Sequence, residues 1–372
     1  MEKHNKELQI LRGVALCAVV GIHTLSIGIK NTQIGTLGNW LFELVHTLLQ
    51  FAVPCFIFIS AILLSYPLKN KNLNVVEFYK KKIIKIVIPY LLWTLIYLIP
   101  QMMKGWIPFD RLVSFKSWLY WLTRGKAYDH LYFMSIIIQL YFVAPLLLIL
   151  NRVIIKYAKR YSMFATLSIG ISGQAAFYYF YKLYISRIFN QGATLIISYF
   201  FIVMFGIWIG FKYEQFWELI IKKRRVVLIL FGISTIIYLG FMIQRVLGEK
   251  LNSILYQFAW YGYTLMTSIT LLMASYAIKK YRLSKYIVWI GKYSFGIYLI
   301  HPIQTFFLRK IIQITNPVLL IILLVIVQVG IILSCGWFVK ICLKCRFTSI
   351  LFGRIIEVDR CQKRELSCSW LE

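Results

Sequence analysis

The sequence predicts an all-α protein, a polytopic bundle of transmembrane helices. Of its 372 residues, 60% are apolar and only 15% are charged, and the mean hydropathy is +0.72. This composition excludes a water-soluble globular protein. The apolar residues fall in blocks of about 20, the length that a helix needs to cross roughly 30 Å of hydrocarbon. Charged residues separate these blocks, so the chain is expected to cross the bilayer many times.

About ten spans are predicted, each a run of at least roughly 18 apolar residues with charge near its ends. The first five, in order, are residues 8–28 (between Lys6 and Lys30), 39–65 (before Lys69), 83–100 (Lys82 to Lys104), 130–150 (Asp129 to Arg152) and 162–181 (Arg160 to Lys182). The second five are residues 193–211 (Arg187 to Lys212), 226–244 (Arg225 to Arg245), 256–278 (Lys250 to Lys279), 287–308 (Lys285 to Arg309) and 317–339 (Lys310 to Lys340).

The distribution of positive charge predicts the orientation. Alternating the loops between two sides places 28 of the 42 Lys and Arg residues on the side of both termini and 12 on the other. Arg12 and Lys292 lie inside spans. Because cytoplasmic loops carry the excess of Lys and Arg, both termini are predicted to be cytoplasmic. The same rule accounts for the net charge of +29, and we expect no nucleic-acid partner.

The chain is predicted to form one integral membrane domain, residues 1–340, followed by a short basic cytoplasmic tail, residues 341–372. No internal repeat is visible, and the first apolar run is interpreted as an uncleaved span. Residues 101–129 form the longest outer loop, which we expect to lie on the membrane surface. The seven cysteines have neither disulfide-framework nor zinc-site spacing, so no metal site is predicted.

Ionisable residues inside spans are candidate functional residues because their burial in lipid is costly. Arg12 and His23 are eleven residues apart in the first span, roughly 16 Å along a helix axis and nearly on one face. Both side chains are therefore predicted to face one cavity, Arg12 near the cytoplasmic end and His23 in the outer half. The alternatives are snorkelling of Arg12 to the inner headgroups and an interhelical hydrogen bond of His23.

The other histidines also map to the outer half, with the exception of His4. His301 lies some fourteen residues into the ninth span, and His130 begins the fourth. An acid–base site facing outward would collect imidazoles at this depth, although chance is the alternative. Glu43 and His46 are three residues apart and are predicted to form a local hydrogen bond on the helix surface rather than a catalytic pair.

A basic run precedes the third span on the inner side. Lys82 and Lys85 are three residues apart, so a regular helix would place them on one face, where they could hold a phosphate or diphosphate. The alternative is a basic cluster that only fixes the topology, since every cytoplasmic loop carries such residues.

In this combination the chain resembles the membrane acyltransferase-3 family. Residues 11–23 match its pattern of Arg, ten intervening residues and His, and residues 53–61 (VPCFIFISA) resemble its second-span segment. Residues 79–90 (YKKKIIKIVIPY) resemble its basic pair before Pro-Tyr, with lysine where arginine is more usual. Residues 130–134 (HLYFM) and 291–302 (GKYSFGIYLIHP) resemble two later segments. The five elements occur in the family's order and extend over nearly the whole chain.

The resemblance implies an integral O-acyltransferase of the cell (plasma) membrane. Such an enzyme moves an acyl group, acetyl or succinyl, from cytoplasmic acyl-coenzyme A to a hydroxyl of a cell-surface polysaccharide or a glycolipid. Acyl-coenzyme A is then a co-substrate, and no bound cofactor is expected. The implied partners are the lipid bilayer, the glycan acceptor, and a polysaccharide synthase or export protein.

Transfer to a hydroxyl requires a base, stabilisation of the oxyanion and a grip on the donor's phosphates. We predict that His23 is the general base, with a covalent acyl-histidine as the alternative. Arg12, Lys82 and Lys85 are predicted to hold the donor, whereas His301, Tyr298 and His130 are predicted to orient the acceptor or His23.

Two other classes of function compete with an enzyme. An exporter or flippase for a polysaccharide or lipid-linked sugar would use the same intramembrane charges, and a sensor would use histidines as pH switches. The missing repeat and the ordered motifs favour the acyltransferase.

Overall fold

The computed structural model describes residues 5–71, 73–186 and 191–353, and all regular structure within them is helical. The sixteen α-helices of these residues are α1 (Asn5–Asn31), α2 (Leu37–Leu48), α3 (Ala52–Ser65), α4 (Val75–Lys82), α5 (Ile88–Met103), α6 (Phe109–Val113), α7 (Phe115–Arg124), α8 (Tyr132–Ala158), α9 (Ser162–Phe180), α10 (Phe200–Phe211), α11 (Tyr213–Lys222), α12 (Arg224–Val246), α13 (Ser253–Ile278), α14 (Ser284–Ile311), α15 (Pro317–Cys342) and α16 (Arg346–Ser349). The predicted all-α class is confirmed.

The ten predicted span ranges all coincide with helical segments. The second combines α2 and α3, joined by the 3₁₀ turn Leu49–Phe51. The third is continuous from α4 to α5 through the π-helical turn Ile83–Val87. The sixth begins in 3₁₀ turns before α10, and the remaining seven are α1, α8, α9, α12, α13, α14 and α15.

Length and apolarity alone identify fewer spans than the sequence predicted. Six segments of the described residues meet these criteria, or seven when the bent pair Ile196–Phe211 and Tyr213–Lys222 counts as one span. One segment, Tyr132–Ile185, has 54 residues, more than twice the length of a single crossing. It contains α8 and α9, which fold back against each other. The helices α13 and α14 fall outside the six, because Tyr, Ser and Thr lower the hydropathy of α13, and Lys292, His301 and tyrosines lower that of α14.

Helix α1 is the centre of the bundle. It packs against α2, α3, α13, α14 and α15, and its contacts with α14 are the most extensive between any two elements of the described chain. Four apolar residues of α1 have no exposed surface, namely Leu11, Ala15, Leu16 and Val20. Because other helices surround α1, most of its faces are apolar.

Two glycines allow α1 and α14 to approach closely. A Cβ atom on Gly13 would overlap the carbonyl oxygen of Ile287, and a Cβ atom on Gly291 would overlap that of Gln9. Small residues at a helix crossing permit backbone contact in membrane proteins. The two helices run parallel from this crossing, so residues at equal distances beyond the glycines lie side by side.

The predicted outer loop is anchored to the bundle. Trp121 of α7 is buried, and the hydroxyl of Tyr90 donates to the carbonyl oxygen of Leu122 at 2.9 Å. The hydroxyl of Ser135 on α8 donates to the carbonyl oxygen of Thr123 at 2.7 Å. These contacts fix the turn that follows α7, from which His130 emerges.

The first part of the predicted C-terminal tail also packs on the bundle. After α16, the turn Ile350–Phe352 places Phe352 against Trp93 of α5, with ring centroids 6.1 Å apart. The indole nitrogen of Trp93 donates to the carbonyl oxygen of Leu351 at 3.0 Å. Residues 354–372 of the predicted tail, including Cys361 and Cys368, lie outside the described residues.

Candidate active site

Three histidines from distant parts of the sequence converge in the bundle. The ring centroids of His23 on α1 and His301 on α14 are 5.1 Å apart, and those of His301 and His130 are 5.9 Å apart. His301 lies between the other two. These three residues are called the histidine cluster below. The structure thus brings together all three histidines that the sequence predicted for the site.

The fold positions each of these rings for a different reason. The glycine crossing of α1 and α14 sets His23 beside His301. His130 is held by its backbone, because its carbonyl oxygen accepts a hydrogen bond from the hydroxyl of Tyr298. Tyr97 packs edge-on against His130 at 5.0 Å, and its own hydroxyl donates to the carbonyl oxygen of Leu299 at 2.7 Å.

The buried imidazoles have unused hydrogen-bonding capacity. His301 is fully buried, and its Nδ1 lies 3.1 Å from the carbonyl oxygen of Ile297. A carbonyl oxygen only accepts hydrogen bonds, so Nδ1 carries the proton and Nε2 keeps its lone pair. Among the described residues, Nε2 of His301 and both ring nitrogens of His130 have no hydrogen-bond partner. Buried polar atoms are normally satisfied, so these atoms mark a place for a polar group of a substrate.

A cavity of about 220 Å³ lies near this cluster, toward the end of the bundle that carries Arg12, and none of the three histidines lines it. Arg12, Lys85 and Lys292 line it together with Ser60 and Tyr141, and we call it the cationic cavity. Tyr298 also lines it, and the ring centroid of Tyr298 lies 5.2 Å from that of His130 and 6.0 Å from that of His301. Tyr298 therefore joins the cavity to the histidine cluster.

Within residues 5–71, 73–186 and 191–353, the three cations of this cavity have no carboxylate partner. Ion pairs form there between Lys69 and Glu214, Lys81 and Glu77, Arg245 and Glu43, and Lys279 and Glu7, and none of these involves Arg12, Lys85 or Lys292. Cations in a partly buried site are costly unless an anion balances them. The cavity is thus suited to a ligand with several negative charges.

The predicted pairing of Lys82 with Lys85 on one helix face is wrong. The π-helical turn Ile83–Val87 begins directly after Lys82 and is wider than an α-helical turn, so three residues no longer return to the same face. Lys85 lines the cationic cavity. Lys82 instead lies over the ring of Tyr141, with Nζ 3.8 Å from its centroid, in a neighbouring groove of about 300 Å³. Tyr141 borders both spaces.

The hydrogen bond predicted between Glu43 and His46 is also not formed. The Glu43 carboxylate instead accepts from the guanidinium of Arg245 on α12 at 2.9 Å. A long arginine side chain reaches Glu43 from another helix, which the spacing of α2 alone did not indicate. Glu43 is thereby connected to α12, whereas His46 lies within electrostatic range of His23.

Sequence reasoning missed several residues of the site. Lys292 lies inside a predicted span, as Arg12 does, and the cost of burying charge in lipid was a sufficient signal for it. Tyr97 and Tyr128 stack on each other with centroids 4.4 Å apart, and both pack edge-on against His130. No local signal distinguishes these two from the other 23 tyrosines, because only the tertiary fold brings them to the histidine.

Comparison with known proteins agrees with this geometry. A family model described as an acyltransferase domain matches residues 5–337. No curated protein and no solved structure matches the chain. The match covers the helices that carry the histidine cluster and the cationic cavity. The chain therefore belongs to the acyltransferase-3 family and is a membrane acyltransferase.

Proposed function

We propose that the protein transfers an acyl group from acyl-coenzyme A, bound in the cationic cavity, to a hydroxyl of a glycan or glycolipid at the histidine cluster. The observation that carries this proposal is that the two sites are adjacent, with Tyr298 lining the cationic cavity and packing against His130 and His301. Arg12, Lys85 and Lys292 offer positive charge to the phosphates of the donor. Arg12 and His23 are about 16 Å apart along α1, a distance that a pantetheine arm can bridge.

His23 is the general base of this reaction. It accepts the proton of the acceptor hydroxyl as the hydroxyl oxygen attacks the thioester carbonyl. The tetrahedral intermediate then expels the coenzyme A thiolate, and the proton passes from His23 to that sulfur. His301 and His130 supply the unused ring nitrogens that orient the acceptor or His23.

We further propose that the enzyme lies in the plasma membrane, with Arg12 toward the cytoplasm, where acyl-coenzyme A is available. The transferred group is acetyl or succinyl, and the acceptor is a cell-surface polysaccharide or glycolipid. Residues 53–57 (VPCFI) resemble the second-span segment of the intercellular-adhesion protein C type, which favours a succinyl group and poly-N-acetylglucosamine. A polysaccharide synthase or an export protein is the expected partner.

The test is a comparison of two histidine variants. Purified protein in detergent is incubated with radiolabelled acetyl- or succinyl-coenzyme A, and release of free coenzyme A is measured with and without a glycan acceptor. His23→Ala is expected to abolish transfer. His46→Ala on α2, outside the histidine cluster, is the matched control and should retain it. Near-parental transfer by folded His23→Ala protein would refute the role of His23. Movement of glycan across vesicles with no acyl-coenzyme A turnover would instead establish a transporter.

A further inference from the structure

A second cavity of about 220 Å³ lies at the other end of α14 from the cationic cavity. It is formed by α5, α14 and the start of the loop after α5, and we call it the aromatic cavity. Lys292 lies near the start of α14, whereas Phe306 of the aromatic cavity lies fourteen residues later, roughly 21 Å along the helix. The two cavities therefore approach the histidine cluster from opposite ends of the bundle.

We propose that the aromatic cavity binds the acceptor through a lipid, so that the acceptor is a glycan carried on a membrane lipid with a phosphate headgroup. This inference rests on the proposed acyl transfer and specifies its acceptor. The lipid chain occupies the apolar part of the cavity, and the phosphate binds beside Phe306, where Lys104 lines the cavity and Lys310 lies over the same ring.

The walls of the cavity are suited to an apolar chain. Tyr97, Tyr128, Trp106, Phe306 and Phe307 supply most of the lining. Phe307 is 59% exposed at the side of α14, so the cavity opens toward the surrounding lipid. A free polysaccharide would need many hydrogen-bonding groups, but the amide nitrogen of Gln101, which also lines this space, already donates to the carbonyl oxygens of Tyr97 and Ala127.

Two lysines at the mouth are suited to an anionic headgroup. Nζ of Lys104 lies 4.9 Å from the ring centroids of both Trp106 and Phe306, and Nζ of Lys310 lies 4.7 Å from that of Phe306. Two like charges thus converge on one ring, and within the described residues neither forms an ion pair with a carboxylate. Trp106 is 61% exposed, as is typical of tryptophan at the level of lipid headgroups. An anion bound near these two lysines would balance their positive charge.

The cavity shares a wall with the histidine cluster. Tyr97 and Tyr128 line the aromatic cavity, and the same two rings pack against His130 at 5.0 and 5.7 Å. An acceptor bound in this cavity would therefore be separated from His130 by these two rings. A lipid anchor also restricts the acceptor to the membrane plane, which raises its effective concentration at the site.

The experiment compares three acceptors of one sugar: N-acetylglucosamine linked to octadecyl phosphate, uncharged octadecyl N-acetylglucosaminide, and soluble N-acetylglucosamine 1-phosphate. The purified enzyme is supplied with acyl-coenzyme A, and ester formation is measured by mass spectrometry. The lipid phosphate is expected to have a KM lower than that of either other acceptor by about tenfold. If the soluble phosphate serves equally well, the ligand is a free anionic sugar and the lipid assignment is wrong. If the uncharged lipid serves equally well, the phosphate assignment is wrong.

Variants then test the lysines directly. Lys104→Gln together with Lys310→Gln should raise the KM for the lipid phosphate about tenfold while leaving kcat unchanged. Lys126→Gln, an exposed lysine of the same predicted outer loop that does not line the cavity, is the control and should change neither constant. Release of coenzyme A in the presence of the three acceptors separates the two proposals. Release that shows no preference for the lipid phosphate overturns only this inference, whereas no release with any acceptor in folded protein overturns the proposed function.

Discussion

His23 and His301 face each other across two parallel helices, each ten residues beyond the glycine that lets those helices touch. The equal spacing from Gly13 and Gly291 makes the imidazole pair a consequence of backbone packing ten residues away. The distance between the rings is therefore set by the helix crossing, and changes at the crossing should alter the chemistry.

Widening this crossing should impair catalysis. Gly291→Val places a branched side chain against the backbone of Gln9, so α1 and α14 must separate and His23 must move away from His301. We expect at least a tenfold loss of kcat, since a small misplacement of catalytic groups is costly. Gly330→Val, at a helical glycine with open space around its Cβ position, is the control. Equal activity of both variants would show that the crossing does not control the site.

The cations of the cationic cavity should determine affinity for the donor. Lys85→Gln and Lys292→Gln are each expected to raise the KM for acyl-coenzyme A by about three- to tenfold, and the effect should shrink as salt screens the remaining charges. Lys85→Arg should preserve or improve binding, because a guanidinium makes two hydrogen bonds to a phosphate. Lys81→Gln removes a lysine that is paired with Glu77 outside the cavity, and it should leave the KM unchanged. An unchanged KM for acyl-coenzyme A in all of these variants would contradict the assignment of the donor phosphates to the cationic cavity.

The C-terminal turn should position Lys85. Gly353 adopts φ +66°, and a Cβ atom there would overlap the carbonyl oxygen of Lys85. Gly353→Ala is therefore expected to displace the π-helical turn and to raise the KM for the donor more than it lowers kcat. Gly248→Ala provides a matched control, since Gly248 has φ +75° and nothing within 4 Å of its Cβ position. If Gly353→Ala and Gly248→Ala change the KM for the donor equally, backbone strain explains the change, and the contact between Gly353 and Lys85 has no role in donor binding.

A buried ion pair should stabilise the end of the bundle that the sequence predicts to be cytoplasmic. The Glu7 carboxylate has no exposed surface and binds Nζ of Lys279 at 2.6 Å, which connects α1 to α13. Lys279→Met leaves that carboxylate buried and unpaired, and we expect a loss of about 3–5 kcal/mol in the free energy of unfolding. Lys81→Met breaks an exposed pair with Glu77 and should cost less than about 1 kcal/mol. Thermal or denaturant unfolding in detergent measures both, and similar losses would contradict the structural role of Glu7.

The orientation predicted from charge can be tested with a reporter that is active only outside the cell. Fused after Glu372, the reporter should be silent, and inserted near Gly125 it should be active. The opposite pattern would place the cationic cavity on the outer side, away from cytoplasmic acyl-coenzyme A.

The features that the sequence predicted correctly depend on regular helices. The ten predicted ranges all coincide with helical segments, and α1 is the uninterrupted helix that the eleven-residue spacing of Arg12 and His23 assumed, although of these two only Arg12 lines the cationic cavity. The same reasoning failed for Lys82 and Lys85 because a π-helical turn changes the angle per residue there. The docking of Phe352 on Trp93 was not predictable either, since it depends on a space between helices that exists only in the folded bundle.

The pairing of α1 with α14 also determines when the enzyme becomes active during its biosynthesis. The first helix enters the membrane as soon as it is made, but its partner follows more than 250 residues later in the chain. Until Ser284–Ile311 has been translated and inserted, His23 has no imidazole beside it and the groove next to Gly13 has no occupant. An incomplete chain therefore lacks the assembled histidine cluster. Correct assembly of the site therefore requires contact between α1 and α14.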